Sequence, residues 1–222
     1  MSVDHPPGKR AAAARGSRPR VEGAKREEIL RAAALRFGRD GYEDTKWADI
    51  AADVGVGPTA LYHYFESKQH CLYVIVDHAI EEFQERFTTI TAGRPDHRDG
   101  LVAVLHDYFD LSERDVLRNR LLVAEQGLLS SRGASPQEEQ ARQAARARSR
   151  DLEFVWASFL AQAMQQHAIP ENDPRLLTRA VLGLYNSVWT WYRPHGIIAL
   201  DRVAEVYIGR ILAMIGAPSS PR

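Results

Sequence analysis

The chain has 222 residues, and its 29 lysine and arginine residues are balanced by 29 aspartate and glutamate residues. This length allows one sizeable core with a small second domain, and the neutral balance means that a nucleic-acid-binding protein must segregate its charge. A single cysteine, Cys71, excludes an internal disulfide framework and fits a reducing compartment. Because no apolar run approaches the roughly twenty residues that a membrane span requires, we expect a soluble, cytoplasmic protein.

The first 24 residues are predicted to form a disordered basic arm. They are rich in Pro, Gly, Ala and Arg and carry five basic against two acidic side chains. Two interpretations are open: a solubilising tail, or an arm that neutralises phosphates or enters a minor groove. In the second interpretation Arg18 and Arg20 are best placed, because they lie a few residues before the first predicted helix.

The first helix is predicted over 25–38. Ile29, Ala33 and Phe37 recur at i, i+4 and i+8, which is the spacing of one buried helix face. Gly41 follows the helix and is expected to adopt the left-handed backbone conformation that ends many helices.

The stretch 45–68 predicts two short helices around a glycine-centred turn and the start of a third helix. Four apolar residues share one face of the first short helix: Trp47, Ile50, Ala51 and Val54. Thr45 is expected to cap that helix, and Gly55 is placed at the corner, where a side chain would be unfavourable. Pro58 opens a second helix over 58–64 at its first position. This pattern is typical of a helix-turn-helix, which usually presents its second helix to the DNA major groove.

The rest of the sequence is helical by pattern, and no segment shows the alternation of a strand. A long helix from 67 to about 90 is predicted to lead into a second domain, with further helices over 100–111, 113–129, 136–168, 174–192 and 200–215. The last two helices are apolar over more than one face, which indicates burial in their own domain and against a partner chain.

Two clusters in the second half each have two interpretations. Aromatic residues at 108, 109, 154, 156, 159 and 189 are either plain core or the lining of an apolar ligand pocket. Arg142, Arg146 and Arg150 recur every four residues and are either a solvated helix face or a cationic strip for the phosphates of an acyl-CoA-like ligand.

Motifs for metal binding and catalysis are missing from the sequence. The eight histidines form no HxxxH or HExxH pair, Cys71 has no CxxC partner, and no Gly-rich phosphate loop or GxSxG elbow occurs. We therefore expect no metal site, no cofactor and no enzymatic activity.

An ordered set of short motifs extends over 29–72. It comprises Phe37-Gly38-Arg39-Asp40-Gly41-Tyr42, Thr45, Ile50-Ala51, Gly55-Val56, Leu61-Tyr62-His63-Tyr64-Phe65 and Ser67-Lys68. In this order and spacing the set resembles the DNA-binding domain of the TetR family of bacterial regulators. Gly57 departs from the Ser or Thr that usually caps the second helix of the family, and glycine can serve as an N-cap at a small cost. A second stretch, Gly183-Leu184-Tyr185-Asn186 with Trp189, Trp191-Tyr192-Arg193-Pro194 and Gly196, is similar to family members that regulate fatty-acid, steroid and other acyl-CoA catabolism.

The resemblance implies an all-α homodimer with a helix-turn-helix DNA-binding domain over 25–70 and a helical effector-binding and dimerisation domain over 71–218. The implied DNA-contacting residues, with the arm included, are Arg18, Arg20, Thr45, Lys46, Trp47, Gly57, Pro58, Thr59, Ala60, Tyr62, His63 and Lys68. The implied ligand-contacting residues are Tyr108, Phe109, Glu125, Phe154, Phe159, Asn186, Trp189 and Arg193.

The implied function is a ligand-responsive transcriptional repressor that a hydrophobic or acyl-CoA-like effector releases from a palindromic double-stranded operator. Two alternatives are open. One is a repressor of multidrug efflux, for which Glu125 is the candidate acidic residue of the pocket. The other is a small helical enzyme or lipid carrier in which the helix-turn-helix is incidental.

Overall fold

A computed structural model describes residues 18–217, with side chains from residue 22 onward. Within that range the chain forms nine α-helices, one short 3₁₀ helix and no strand. The helices are α1 (Arg18–Asp40), α2 (Trp47–Asp53), α3 (Pro58–Leu61), α4 (Lys68–Ala92), α5 (His97–Phe109), α6 (Glu113–Ala124), the 3₁₀ helix (Gln126–Ser130), α7 (Pro136–Gln165), α8 (Pro174–Trp191) and α9 (Leu200–Met214). The predicted all-α fold is confirmed.

Helix α1 begins at Arg18, seven residues before the predicted start. The helical geometry therefore includes 18–24, which the sequence assigned to the arm, while 1–17 lie outside the described residues. Gly41 follows the helix with φ +94°, and its N–H donates to Phe37 O over 3.1 Å. The predicted left-handed glycine at this end is thus present.

The two short helices differ from the prediction at their ends. Thr45 does not cap α2, because the cap position is Lys46 and no side chain caps the helix; the Thr45 hydroxyl instead donates to Gly41 O over 2.7 Å. Gly55 has φ +66° at the corner, as expected. Helix α3 is shorter than 58–64, since the backbone continues past Leu61 with the tighter i to i+3 bond of Tyr64 N–H to Leu61 O, 2.9 Å.

Two hydrophobic clusters divide the described residues. The first is built by α1, α2, α3 and the start of α4, with Ile29, Ile50 and Leu61 fully buried. The second lies among α4 to α9 around Trp156 and Trp189. Helices α4 and α7 contribute to both clusters and pack along each other, so they connect the two halves.

The connections of the second half follow the predicted capping signals with one exception. Ser135 caps α7 and Asp173 caps α8 through their side chains, each followed by a proline at the helix start. The helix predicted over 113–129 is interrupted: α6 ends at Ala124, and Glu125 leads into the 3₁₀ helix.

Candidate nucleic-acid interface and effector cavity

The exposed surface of the helix-turn-helix is formed by α3 and the turn after it. Gly57, Pro58 and Thr59 are exposed and Ala60 is half-buried. Tyr62 is 57% exposed and packs edge-on against the half-buried Trp47, with 6.5 Å between ring centroids. His63 is exposed as well. The structure therefore brings most residues of the predicted DNA-contacting set to one accessible surface.

The same surface is supported from below by residues of the first hydrophobic cluster. Leu61 and Phe65 are buried, and the guanidinium carbon of Arg26 lies 4.8 Å from the centre of the Phe65 ring. Tyr64 is half-buried beside them. Alternation between exposed and buried positions thus fixes which side of α3 faces solvent.

Two residues of the predicted DNA-contacting set have partners inside the domain. Lys68 Nζ donates to the backbone oxygens of Tyr42, Thr45 and Glu43 over 2.6, 3.1 and 3.3 Å and lies 4.3 Å from the centre of the Tyr42 ring. Thr45 is only 4% exposed. Both side chains therefore hold the loop between α1 and α2 in place, a role that the sequence did not predict.

Two arginines of the helix-turn-helix domain form ion pairs within it. Arg36 forms a bidentate pair with Asp53, with Nη2 to Oδ1 at 2.7 Å, and Arg39 pairs with Asp40 at 2.7 Å. Lys46, in contrast, is exposed and forms no ion pair among the residues whose side chains are described. Arg18 and Arg20 lie in the first turn of α1, where only their backbone is described.

A cavity of about 340 Å³ lies in the second half of the molecule between α4, α6, α7 and α8. Apolar side chains from all four helices line it: Val76, Ile80, Phe83, Leu122, Val123, Leu152, Leu182 and Trp189. The exposed lining residues Gln126, Glu153 and Arg179 mark its open end, and the buried Asn119, Tyr108 and Tyr185 mark its closed end. A narrow apolar ligand could enter with its polar end left outside.

Three of the eight predicted ligand-contacting residues line this cavity: Tyr108, Asn186 and Trp189. Phe109 and Phe159 are core residues outside it. Phe154 is 70% exposed on the outer side of α7. Its position among the aromatic residues at helical spacing predicted that Phe154 lies in the interior. The apolar face of α7 that packs inward carries Trp156 and Leu160 instead.

The last two predicted residues, Glu125 and Arg193, line a different cavity. This second cavity, of about 460 Å³, lies where the end of α1 meets α6 and α8, and Arg39 and Arg120 also line it. Burial, with a smaller contribution from Arg193, lowers the pKa of Arg120. Burial and the nearby Glu43 raise the pKa of the Glu125 carboxyl.

A buried polar network closes the inner end of the first cavity. The Tyr108 hydroxyl donates to Phe83 O over 3.2 Å, and the Tyr185 hydroxyl donates to Tyr108 O over 3.1 Å. Asn119 Nδ2 donates to the Tyr185 oxygen over 3.0 Å. Burial raises the pKa of both phenols, so they act as neutral donors. Asn119 was not predicted, and its signal in the sequence is a lone amide within the apolar face of α6.

The three arginines at four-residue spacing on α7 do not form one strip. Arg142 is buried, pairs with Glu139 at 2.6 Å and donates to Leu129 O over 2.8 Å. Arg146 and Arg150 are exposed. The first arginine is thus a structural residue, because α7 passes beneath the 3₁₀ helix at that turn.

Polar contacts join the start of α7 to the helix-turn-helix. Glu138 is buried and accepts hydrogen bonds from the Ser67 hydroxyl and from Ala134 N–H, the latter over 2.7 Å. The Ser67 side chain also caps α4 by accepting from His70 N–H over 3.0 Å. A shift of α7 would therefore be transmitted to the first turn of α4.

Two negative findings concern residues 18–217. None of the helices there is both long and apolar enough to cross a membrane. That part of the chain also contains no group of three or more His, Cys, Asp or Glu side chains arranged to hold a metal ion.

Comparisons with known proteins agree on the class of this chain. The family model described as bacterial regulatory proteins, tetR family, matches residues 29–73, and the one described as tetracyclin repressor-like, C-terminal domain, matches residues 124–215. The HTH-type transcriptional repressor KstR2 of Mycolicibacterium smegmatis is 22% identical over 201 residues, which cover 89% of this chain and 93% of that protein.

Solved structures share the fold. AibR in complex with isovaleryl coenzyme A and operator DNA has a TM-score of 0.71 at 22% identity, over 88% of this chain and 100% of that one. The TetR-family regulator PfmR from Thermus thermophilus has a TM-score of 0.67 at 27% identity, over 87% of this chain and 99% of that one. KstR2 and PfmR are named as transcriptional regulators.

Proposed function

The chain belongs to the TetR family of bacterial regulatory proteins and is a DNA-binding transcriptional regulator, and on that premise we propose how it works. It acts as a homodimeric repressor that occupies a palindromic operator. A hydrophobic or acyl-CoA-like effector enters the cavity between α4, α6, α7 and α8 and releases the repressor from the operator. One observation carries this proposal. An exposed helix-turn-helix surface and a largely apolar cavity occur in the same chain, and helices α4 and α7 connect the two.

The DNA-contacting surface in this proposal is the exposed end of α3. Thr59 can exchange a hydrogen bond with a base edge, and Pro58 can contact a thymine methyl group. Tyr62 and His63 reach bases or phosphates, and Lys46 neutralises a phosphate. Trp47, Gly57 and Ala60 complete the surface, and Arg18 and Arg20 extend it. Thr45 and Lys68 serve it indirectly through the loop that they hold.

The dimer in this proposal forms through the outer faces of α8 and α9. Exposed large apolar side chains are concentrated there and in the loop between the two helices: Leu176, Trp191, Ile197, Ile198, Val206 and Met214. A concentration of exposed apolar side chains on neighbouring elements is typical of an interaction surface. Two copies joined this way would present two α3 helices to two half-sites of a palindrome.

The effector class follows from the shape of the cavity and from the relatives. A volume of about 340 Å³ lies at the small end of ligand sites, so an acyl group fits and a nucleotide does not. Arg179 lies at the open end, 3.9 Å from the Glu153 carboxylate, and in this proposal it exchanges that exposed partner for the phosphates that stay outside. AibR was crystallised with isovaleryl coenzyme A, and the KstR2 of Mycobacterium tuberculosis is described as a ketosteroid regulator.

Release from DNA would result from movement of α4 and α7. Both helices line the cavity, and the contact of Glu138 with Ser67 joins them at the helix-turn-helix. A ligand that separates these helices would change the distance between the two α3 helices of the dimer. An effect of about 1–3 kcal/mol on operator binding is typical of such coupling.

This proposal includes a domain division at about residue 70 and a cytoplasmic location, where a bacterial regulator meets its DNA. A multidrug repressor is less well supported, because Glu125 lies outside the first cavity and the acidic Glu153 there lies 3.9 Å from Arg179. The enzyme or carrier alternative is set aside, since the relatives are regulators.

Footprinting on the promoter of the chain's own gene tests the proposal. We expect a two-fold-symmetric footprint that disappears with medium-chain acyl-CoAs. Thr59→Val and Tyr62→Ala should each weaken operator binding about tenfold or more. Thr59→Val should leave stability unchanged, whereas Tyr62→Ala also removes the ring packing on Trp47. Gln165→Ala, at the far end of α7, should leave binding unchanged. A footprint that persists with every acyl-CoA would reject the effector class, and no footprint at all would reject the repressor model.

A further inference from the structure

Two buried side-chain atoms in the lining of the first cavity have no hydrogen-bond partner among the described residues: Asn119 Oδ1, an acceptor, and Trp189 Nε1, a donor. Asn119 is 2% exposed and lines the cavity from α6. Its Nδ2 donates to the Tyr185 oxygen over 3.0 Å, but its Oδ1 has no hydrogen-bond partner among the described residues. Buried acceptors without partners are rare in native proteins, so this oxygen requires an explanation.

The neighbouring groups determine which way the amide faces. The Tyr185 hydroxyl has one proton, and it donates that proton to the backbone oxygen of Tyr108, 3.1 Å away, which can only accept. The Tyr185 oxygen must therefore accept from Asn119, which requires the NH₂ side of the amide. The oxygen of Asn119 is consequently left as a fixed acceptor, and rotating the amide would break the network.

The surroundings restrict what could satisfy this acceptor. Phe83 and Leu122 in the lining are apolar, and the exposed polar residues lie at the open end of the cavity. The unpartnered Nε1 of Trp189 is a donor but forms no hydrogen bond with the Asn119 oxygen. A donor that reaches Asn119 must therefore belong to the part of the ligand that enters deepest. For an acyl-CoA that part is the acyl group, because a cavity of about 340 Å³ leaves the nucleotide outside.

We propose that Asn119 determines effector specificity by accepting a hydrogen bond from a hydroxyl group on the acyl portion of the effector. This inference rests on the proposed function and narrows its ligand class to hydroxylated acyl thioesters. A saturated acyl chain leaves the Asn119 oxygen unpaired, and an oxo group places a second acceptor against it. A hydroxyl group on the ligand can donate its one proton to the Asn119 oxygen and so gives that acceptor a partner.

Binding of matched eight-carbon acyl-CoAs to the full-length protein tests the inference. Octanoyl-CoA is compared with its hydroxy and oxo derivatives, substituted at the third, fifth or terminal carbon. Quenching of tryptophan fluorescence reports binding, because Trp189 lines the cavity. We expect at least one hydroxy derivative to bind about tenfold more tightly than both octanoyl-CoA and the matching oxo derivative.

Three variants locate the effect. Asn119→Leu should abolish the preference for the hydroxyl while retaining octanoyl-CoA. Tyr185→Phe frees the amide to rotate, so it should narrow or reverse the preference between hydroxy and oxo derivatives even where Asn119→Leu fails to fold. Asn186→Leu changes the other asparagine of the cavity wall, which is half-buried, and should keep the preference.

The outcomes separate this inference from the proposed function. If acyl-CoAs bind and release the protein from DNA, but the hydroxy derivatives bind no more tightly than octanoyl-CoA, Asn119 has no such role and the proposed function stands. If no acyl-CoA binds, 1-octanol is compared with heptyl methyl ether, which has the same number of heavy atoms and no donor. A preference for the alcohol that depends on Asn119 would then support the role of Asn119 as a hydrogen-bond acceptor and reject the acyl-CoA class. The absence of a preference would reject both that role and the acyl-CoA class.

Discussion

At α3 the side chains proposed to contact DNA face solvent, whereas most side chains that line the effector cavity are buried or half-buried between long helices. Tyr62 is 57% exposed, while Trp189 is 1% exposed. The α3 surface is supported by the first hydrophobic cluster, to which Leu61 and Phe65 contribute buried side chains. The cavity, in contrast, is lined by residues of the second, larger hydrophobic cluster.

This difference predicts two kinds of mutational behaviour. A substitution on the α3 surface removes a proposed contact with DNA but, apart from the packing of Tyr62 on Trp47, little that holds the fold. A substitution in the cavity wall changes packing as well as recognition, because interiors are close-packed. The residues that join the two regions should behave in a third way and alter DNA binding through the fold.

Gly38→Ala should have the largest effect, because it acts where α1 of the first region contacts α6 of the second. A Cβ at this position would lie 2.5 Å from Leu117 O and 2.8 Å from Leu117 C, so the two backbones would have to separate. We expect a loss of unfolding free energy of about 1–3 kcal/mol and weaker operator binding. Chemical denaturation and gel-shift titration would measure the two effects.

Gly23→Ala is the matched control in the same helix. Nothing lies within 4 Å of a Cβ at this position, so the variant should gain up to about 1 kcal/mol from helix propensity and keep operator affinity. If the two glycine variants behaved alike, the close approach of α1 to α6 would not connect the regions.

The sequence was sufficient for most of the first region because its signals are local. Gly41 and Gly55 mark positive φ values, Pro58 begins α3, and the spacing of Ile50 and Ala51 marks the buried face of α2. The error at Thr45 has a local cause too: its hydroxyl bonds the preceding turn and not the start of the helix. The backbone partners of Lys68 could not be predicted, because they lie more than twenty residues away along the chain.

The cavity was predicted less well because its lining depends on how four helices pack. Helical spacing places Phe154 and Trp156 on nearby turns but cannot say that one is 70% exposed and the other 0%. Asn119 and Tyr185 meet only through the contact of α6 with α8. Sequence spacing therefore gave the elements of the effector region but not the surface that they enclose.

A pair of lysine variants sharpens the comparison within the first region. Lys68→Met removes a cation whose Nζ bonds Tyr42 O at 2.6 Å and Thr45 O at 3.1 Å, so it should lower the unfolding free energy by about 1–2 kcal/mol. Lys46→Met removes an exposed cation, so stability should remain while the salt dependence of operator binding falls by about one unit of slope.

Denaturation and gel shifts at several salt concentrations distinguish the two lysines. Loss of stability in the Lys46 variant, or a reduced salt slope with normal stability in the Lys68 variant, would reverse the roles assigned to them.

The smallest effect is expected from pH, and it should arise in the first region. His70 lies in the first turn of α4, where its Nδ1 accepts from Glu66 N–H over 3.3 Å and its ring packs edge-on against Phe65 at 5.7 Å. Burial lowers the pKa of His70, opposed by Glu66 and Glu138 and aided by Arg26. The folded protein therefore binds this proton less readily than the unfolded chain.

Stability linked to His70 is complete above the ordinary histidine pKa of about 6.5 and decreases as pH falls below it, because only the unfolded chain then gains the proton. Protonation of Nδ1 would also remove the acceptor for Glu66 N–H. We expect the wild-type denaturation midpoint to fall between about pH 7.5 and about pH 5.5 by more than that of His70→Asn, whose amide oxygen can replace the acceptor without titrating. Equal falls in both proteins would place the pH sensitivity elsewhere, and a larger fall in the variant would reverse the assigned sign.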